Sequence, residues 1–384
     1  MSRVGNGAAG GPLCLPVRMP VLTVVVDQLL APVPGGTGRY AREITAALAG
    51  VPRPGWGVRT VASWHRDRSS ARIPGAAGPR RLPVGRRVLA ELWSRGWPPP
   101  VAGDRVHATT PLAPARRAGL VVTVHDAVPW THPETLTPRG VQWHRTMIGR
   151  DVRRAESIVV PSAAVADDLA GIFPAVADRI AVVAHGVTEL PVPPDAAAIR
   201  ARLGLADDGY VLAIATLEPR KGLDVLIDAL VRPAARDAHL VVVGPTGWGD
   251  VDLAGTAAAA GLGPDRLHAV GRLGDRELAA VLAGAGVLTA PSRAEGFGLP
   301  VLEAMAAGVP VVVSDAPALV ELVGPTGLVS RRDDPAMLAE VIGGVLADPV
   351  LAGDLAARGR ARAAGYTWAA AADRIWDLHV GPRR

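Results

Sequence analysis

Residues 286–315 read GVLTAPSRAEGFGLPVLEAMAAGVPVVVSD. Gly286–Thr289 is a short apolar run, Gly296 and Gly298 mark a turn, and Pro300 suits the first turn of a helix. A second apolar run, Val309–Val313, follows. Strand, glycine turn, helix and strand in this order make a unit that joins parallel strands. Outward from it the same alternation continues, with strand candidates at Tyr210–Ala215, Leu240–Val243 and Leu267–Val270. An earlier series comprises Val21–Val26, Val58–Ala62, Val106–Thr109, Leu120–Val124, Ser157–Val160 and Ile180–Val183. These runs are continuous rather than alternating, as in strands covered by helices on both faces. The Pro-rich joint Glu189–Asp195, ELPVPPD, separates the two series. The pattern predicts an α/β chain of two Rossmann-like, doubly wound parallel-sheet domains facing a central cleft. Ligands of such sheets bind beyond the C-terminal strand ends, so the cleft is the place to look. Residues 19–190 are assigned to the first domain and 191–365 to the second. The Gly-rich residues 1–18 read as a loose tail, and Met19 is a candidate start.

The turn at 291–303 also carries chemistry. Its glycines let backbone N–H groups approach a ligand, and the helix near Pro300 offers its positive end to an anion. Glu295 and Glu303, one before that helix and one inside it, can each bind a separate hydroxyl cluster of an elongated ligand. A second motif, Glu218–Gly222 (EPRKG), follows the strand Tyr210–Ala215. Arg220 as a fork and Lys221 as a mobile point charge suit a diphosphate. The chain holds 41 Lys and Arg residues, of which Lys221 is the one lysine and the other 40 are arginine, so a lysine here is conspicuous. Asp250-Val251-Asp252 matches a metal-binding pair superficially, but aspartates at a helix start usually cap it, and no metal is expected.

In the first half, Gly35-Gly36-Thr37-Gly38-Arg39 follows the first strand and opens a helix expected over Tyr40–Leu48. It lacks the spacing of a dinucleotide fingerprint, yet its position aims backbone amides at the cleft. His125-Asp126 ends the strand Leu120–Val124, where His125 can either meet a sugar or be satisfied by Asp126. His107, His132, His144 and His185 read as structural. Nucleophile-elbow, zincin and P-loop patterns are absent from the sequence, which disfavours hydrolase and triphosphatase readings. Pro79–Pro98, PRRLPVGRRVLAELWSRGWP, interleaves arginines with Leu82, Leu89, Trp93 and Trp97. That composition fits a domain helix with a charged outer face or a basic segment on an anionic membrane.

Composition narrows the classes further. Hydrophobic residues at 49% and charged residues at 20% exclude wholesale disorder. The lone Cys14 excludes a disulfide framework and any cysteine-based zinc or iron–sulfur site. No uncharged apolar run approaches the roughly 20 residues of a membrane-spanning helix, and the N-terminus lacks a signal-like apolar stretch, so the cytoplasm is expected. A net charge of +5 is too small to argue for a nucleic-acid partner.

Taken together, GGTGRY, VTVHD, RRAESIVVPS, LEPRKG, VGRLGDREL and PSRAEGFGLPVLEA resemble the retaining, nucleotide-sugar-dependent family 4 glycosyltransferases of GT-B architecture. The resemblance spans about Val21 to Val380, and YTWAAAADRIWDLH resembles the family's final helix, returning from 366–384 to the first domain. By this resemblance Arg220 and Lys221 hold the donor diphosphate and stabilise it as leaving group. Glu303 takes the ribose hydroxyls, and Glu295 with the backbone of Gly296, Phe297, Gly298 and Leu299 takes the donor sugar. Gly36 and Gly38 approach phosphates or acceptor, and His125 approaches the transferred sugar. The loops at Gly244 and Arg272 line the base pocket. The resemblance implies a metal-independent reaction without a cofactor, in which the leaving phosphate helps remove the acceptor proton. The HDAVPWTHPE string resembles bacterial mannosyltransferase-type members, which points first to GDP-mannose and next to a UDP-sugar. A lipid-linked or polysaccharide precursor is the expected acceptor, at the inner membrane face if residues 79–98 bind there. His185 stands where many relatives carry Asn. A nucleotide-sugar epimerase or hydrolase on the same fold, and a non-catalytic nucleotide-sugar-binding relative, are the alternatives.

Overall fold

The structure, a computed structural model, describes residues 19–115, 118–205, 209–249 and 251–382. The expectation of a loose tail at 1–18 and the reading of Asp250 lie outside the described residues. Among the described residues, thirteen strands form two sheets. The first contains β1 (Val21–Val25), β2 (Gly57–Ala62), β3 (Ala77–Arg81), β4 (Arg105–Ala108), β5 (Leu120–Thr123), β6 (Ser157–Val160) and β7 (Ile180–Val182). The second contains β8 (Tyr210–Ile214), β9 (Leu240–Val243), β10 (Leu267–Gly271), β11 (Ala285–Ala290), β12 (Val311–Ser314) and β13 (Leu328–Ser330). Their orders are β3-β2-β1-β4-β5-β6-β7 and β10-β9-β8-β11-β12-β13, and every pairing is parallel.

The strand pattern explains the layers. In β1, Leu22 and Val24 pack with Tyr40, Ile44, Leu48 and Trp376 on one face, while Val25 packs with Leu89, Trp93, Met147 and Ile158 on the other. In the second sheet, Leu212, Leu288 and Val313 face one core, and Val211, Val287 and Val312 face the opposite one. With both faces dry, the central strands such as β8, β9 and β12 are largely apolar, which is why those runs do not alternate.

Helix Gly35–Gly50 begins at the glycine turn rather than at Tyr40, so the glycines are its first turn. Helix Trp368–Val380 leaves the second sheet and lies on helix Gly35–Gly50, burying Trp376, whose Nε1 donates to the Leu48 carbonyl at 3.2 Å. Helix Arg86–Ser94 fits the domain-helix reading of residues 79–98 and lends no support to the membrane one. Its Leu89 and Trp93 are fully buried in the first domain's core, and Trp93 Nε1 donates to the Pro99 carbonyl at 2.9 Å. Arg86 is tied inward to Asp27 at 3.2 Å. The apolar side that would enter a bilayer is thus spent on the core, although Val88 and Trp97 remain exposed. Among the described residues no single helix is long and apolar enough to cross a membrane.

Candidate functional site

The C-terminal ends of β8 and β11 lie side by side in the second sheet, so the segments leaving them meet. From β8 comes Glu218–Gly222, in which Gly222 turns back at φ 65° and an added Cβ would lie 2.2 Å from the Pro291 carbonyl oxygen. From β11 comes Pro291–Gly298. The two interlock where the Arg293 N–H donates to the Arg220 carbonyl at 2.8 Å and Arg220 donates to the Ala294 carbonyl at 2.9 Å.

At this junction Lys221 Nζ stands 2.5 Å from Glu295 Oε1, and Arg220 reaches Glu295 Oε2 at 3.2 Å. The Ser292 hydroxyl donates to the same carboxylate at 2.9 Å. Burial works against the charge of Glu295, but Lys221 and Arg220 outweigh it and bring the carboxyl down to about 2. Arg220 is held from behind by Glu218 through donors 2.6 and 3.1 Å away. Burial pushes Glu218 up, with Arg220 pulling it back. Two cations and two carboxylates thus form one mutually paired, oriented cluster in a mostly dry corner. Sequence reading gave Glu218 and Ser292 no role, and each acts here through the charged residues it holds.

Across the cleft, the first domain's strand ends face this cluster. The Cβ that Gly296 lacks would lie 1.8 Å from the His125 carbonyl oxygen, so the two backbones touch only because residue 296 is glycine. Ser162 donates to the Gly296 carbonyl at 2.8 Å, and Glu321 accepts from the amides of Ala163 and Ala164 at the start of helix Ala163–Ile172. On the far flank Trp248 Nε1 donates to the Thr135 carbonyl at 2.8 Å. His125 donates through Nε2 to the Thr109 carbonyl at 2.9 Å. Burial lowers its pKa against the pull of that carbonyl and of Asp126, so the ring is neutral and Nδ1 is left as an acceptor. Tyr40 and His185 pack at 4.8 and 5.6 Å from it.

The remaining candidates divide. Gly36 faces Leu299 across the cleft, with 3.9 Å between its absent Cβ and Leu299 Cδ1. Gly38 is turned instead toward Pro34, whose Cβ would lie 2.4 Å away, and its amide is used by the Pro34 carbonyl. Gly298 begins helix Leu299–Ala307 at φ 105°. The Phe297 side chain is buried against His185 and Tyr366, which leaves only its backbone to face the cleft. Gly244 at φ 156° lies against the Ala215 carbonyl, and its amide donates to Gly271, so it fixes the β9 turn. Arg272 stands exposed beyond β10. Glu303 is buried, and Arg39 of the first domain comes within 3.1 Å of its Oε1. Burial pushes the Glu303 carboxyl up to about 7 despite Arg39. Asp252 caps helix Leu253–Ala260 by accepting from the Gly255 amide, so its carboxylate serves the helix.

Two family models match the chain: one described as Glycosyltransferase Family 4 over residues 34–189 and one described as Glycosyl transferases group 1 over 208–348. The MMP alpha-(1->4)-mannosyltransferase of Mycolicibacterium hassiacum is 31% identical, covering 87% of this chain and 92% of its own length. The chain belongs to the family 4 glycosyltransferases. This glycosyltransferase is also 31% identical to the Escherichia coli O-antigen chain mannosyltransferase B over 68% of its own length and 70% of that protein. It is 32% identical to D-inositol 3-phosphate glycosyltransferase 1 of Catenulispora acidiphila over 79% of each chain. Its fold is that of sucrose-phosphate synthase from Thermosynechococcus elongatus, with TM-score 0.72, 24% identity, and coverage of 94% of this chain and 98% of that one. WaaG, a glycosyltransferase of lipopolysaccharide biosynthesis, superposes with TM-score 0.68 at 19% identity, covering 94% of this chain and 100% of that one. Anabaena HepE, solved with UDP-glucose, does so at 0.72 and 20%, covering 93% and 98%. The two sheets of this glycosyltransferase are therefore the two domains of a GT-B fold.

Proposed function

We propose that this glycosyltransferase moves a hexose, mannose from GDP-mannose in the first instance, to a hydroxyl of a lipid-linked or polysaccharide precursor, with retention at the anomeric carbon. The observation that carries the reading is the buried cluster of Arg220, Lys221 and Glu295 at paired strand ends facing His125. The mannosyltransferases among the relatives support the donor sugar, and HepE's UDP-glucose complex supports a nucleotide-sugar in this type of cleft.

In the proposed reaction Arg220 and Lys221 turn from Glu295 to the donor diphosphate. They stabilise the charge that grows on the leaving oxygen as the glycosidic bond breaks. Glu295, kept ionised, accepts hydrogen bonds from donor sugar hydroxyls, with backbone amides of Gly296–Leu299 beside it. His125 Nδ1 accepts from a hydroxyl of the same sugar. Glu303 receives the ribose hydroxyls, and Gly36 leaves room for phosphate or acceptor. The acceptor hydroxyl attacks from the side the diphosphate leaves and passes its proton to the departing phosphate oxygen, so the chain supplies no separate base. We assign no step to a metal ion, and we place the reaction at the cytoplasmic side.

The test is incubation of the protein with GDP-mannose and, separately, UDP-glucose, using mannosides and glycolipid extracts as acceptors, with proton NMR of the product. An α-linked product from an α-linked donor supports the reading. A β-linked product overturns retention, and nucleotide release or sugar epimerisation indifferent to acceptor favours the hydrolase or epimerase alternative.

A further inference from the structure

Arg39 crosses from the first turn of helix Gly35–Gly50 to two acids of the second domain. Its Nε is 3.1 Å from Glu303 Oε1, and its terminal nitrogen is 2.6 Å from Asp275 Oδ1. The acids differ sharply, since the side chain of Glu303 is 4% exposed and that of Asp275 is 65% exposed. Glu303 Oε1 also lacks a hydrogen bond of good geometry, so this buried oxygen faces an off-axis cation. A charge in that position is costly without a partner. The guanidinium and a ribose diol are both donors, and each can serve this oxygen while the other is absent.

We propose that Arg39 stands in for the donor's ribose when no nucleotide is bound. It joins the domains through Glu303 and Asp275, gives up Glu303 to the ribose diol of an incoming nucleoside diphosphate, and keeps its bond to Asp275. The inference rests on Glu303 as the ribose residue. Because one donor replaces another, Glu303 keeps a donor group beside it throughout the exchange. The affinity for nucleotide is then lowered by the strength of the contact that is displaced. Asp275 sits at the start of helix Asp275–Gly284, in solvent, where Arg39 can remain without entering the ribose site. Domain closure and ribose binding therefore draw on different carboxylates.

The arrangement gives two substitutions opposite signs. Arg39→Met removes the competitor, whereas Asp275→Asn removes the alternative partner and leaves Arg39 with Glu303. A partly exposed ion pair is worth up to about 1 kcal/mol, which is about fivefold in affinity.

The experiment is calorimetric titration of GDP, UDP and their 2′,3′-dideoxy analogues into wild type, Arg39→Met, Asp275→Asn and Glu303→Gln, with circular dichroism as a check of folding. Arg39→Met is expected to bind the ribonucleotide about fivefold more tightly and Asp275→Asn to bind it more weakly, with the dideoxy analogue unaffected by either. Unchanged or weaker ribonucleotide binding by Arg39→Met, or tighter binding by Asp275→Asn, overturns the exchange while the ribose reading stands. A diol preference that survives Glu303→Gln, or a wild type that binds neither nucleotide, overturns the ribose reading and the exchange with it. A merely structural Arg39 would lower the melting temperature without producing opposite signs.

Discussion

Lys221→Met keeps the length of the side chain and removes its charge. In the folded protein Lys221 Nζ lies 2.5 Å from Glu295 Oε1, with exposures of 16% and 13%. Burial alone would raise the Glu295 carboxyl, yet Lys221 and Arg220 bring it from its ordinary 4.5 to about 2. A depression of that size corresponds to about 3 kcal/mol of stability. It is present above the unfolded value and is lost as the pH falls through the folded one. Without Lys221 the carboxylate keeps Arg220 at 3.2 Å and the Ser292 hydroxyl at 2.9 Å, so the variant folds. It loses part of this contribution, about 1–2 kcal/mol at neutral pH, and its stability depends less steeply on pH between 4.5 and 2. The catalytic loss is larger. Deleting one charge-assisted contact to a developing oxyanion costs about 3–4 kcal/mol, or 10²–10³ in kcat. The assay pairs urea denaturation at several pH values with turnover of the nucleotide-sugar. Wild-type turnover by a folded Lys221→Met protein would refute the assignment of the lysine to the diphosphate.

Other outcomes follow from single contacts. Gly296→Ala places a methyl 1.8 Å from the His125 carbonyl oxygen; we expect a larger radius of gyration in X-ray scattering and at least about 10²-fold slower transfer, because reacting groups tolerate little misplacement. Trp93→Ala hollows the core of the first domain and should cost about 3–5 kcal/mol in chemical denaturation; a loss below about 1 kcal/mol would return Trp93 to a surface role. Burial holds His379 well below the ordinary histidine value, with His107 beside it brought to about 3. The unfolded chain therefore takes up protons first, and this contribution to stability, full above pH 6.5, is lost on acidification. His379→Phe should make stability fall less steeply between pH 6 and 4, by roughly 1.4 kcal/mol per unit; an identical slope would contradict the neutral buried ring.

The central strands were legible because dry strands must be largely apolar, as Leu240–Val243 and residues 211–213 are. The two strands missing from the sequence reading, Ala77–Arg81 and Leu328–Ser330, are sheet edges. The first buries only Pro79 among its five residues, and the second is three residues long, so neither has an apolar run to find. Glu295, Arg220 and Lys221 could be singled out because glycines and prolines fix their turns. Residues 79–98 left two readings open because Trp93 and Leu89 give the same sequence pattern whether they enter a core or a bilayer. Arg39 adjoins a noticed motif but is one of 40 arginines, and its partner Asp275 is 236 residues away in sequence. Only the closure of the two domains brings them together.

The most direct measurement is calorimetric titration of wild type and Lys221→Met with GDP and UDP, first without metal and then with magnesium. The account predicts tight binding of one nucleotide by wild type, indifferent to magnesium and lost in the variant. Failure of wild type to bind either, or equal binding by Lys221→Met, would contradict a diphosphate held by Arg220 and Lys221.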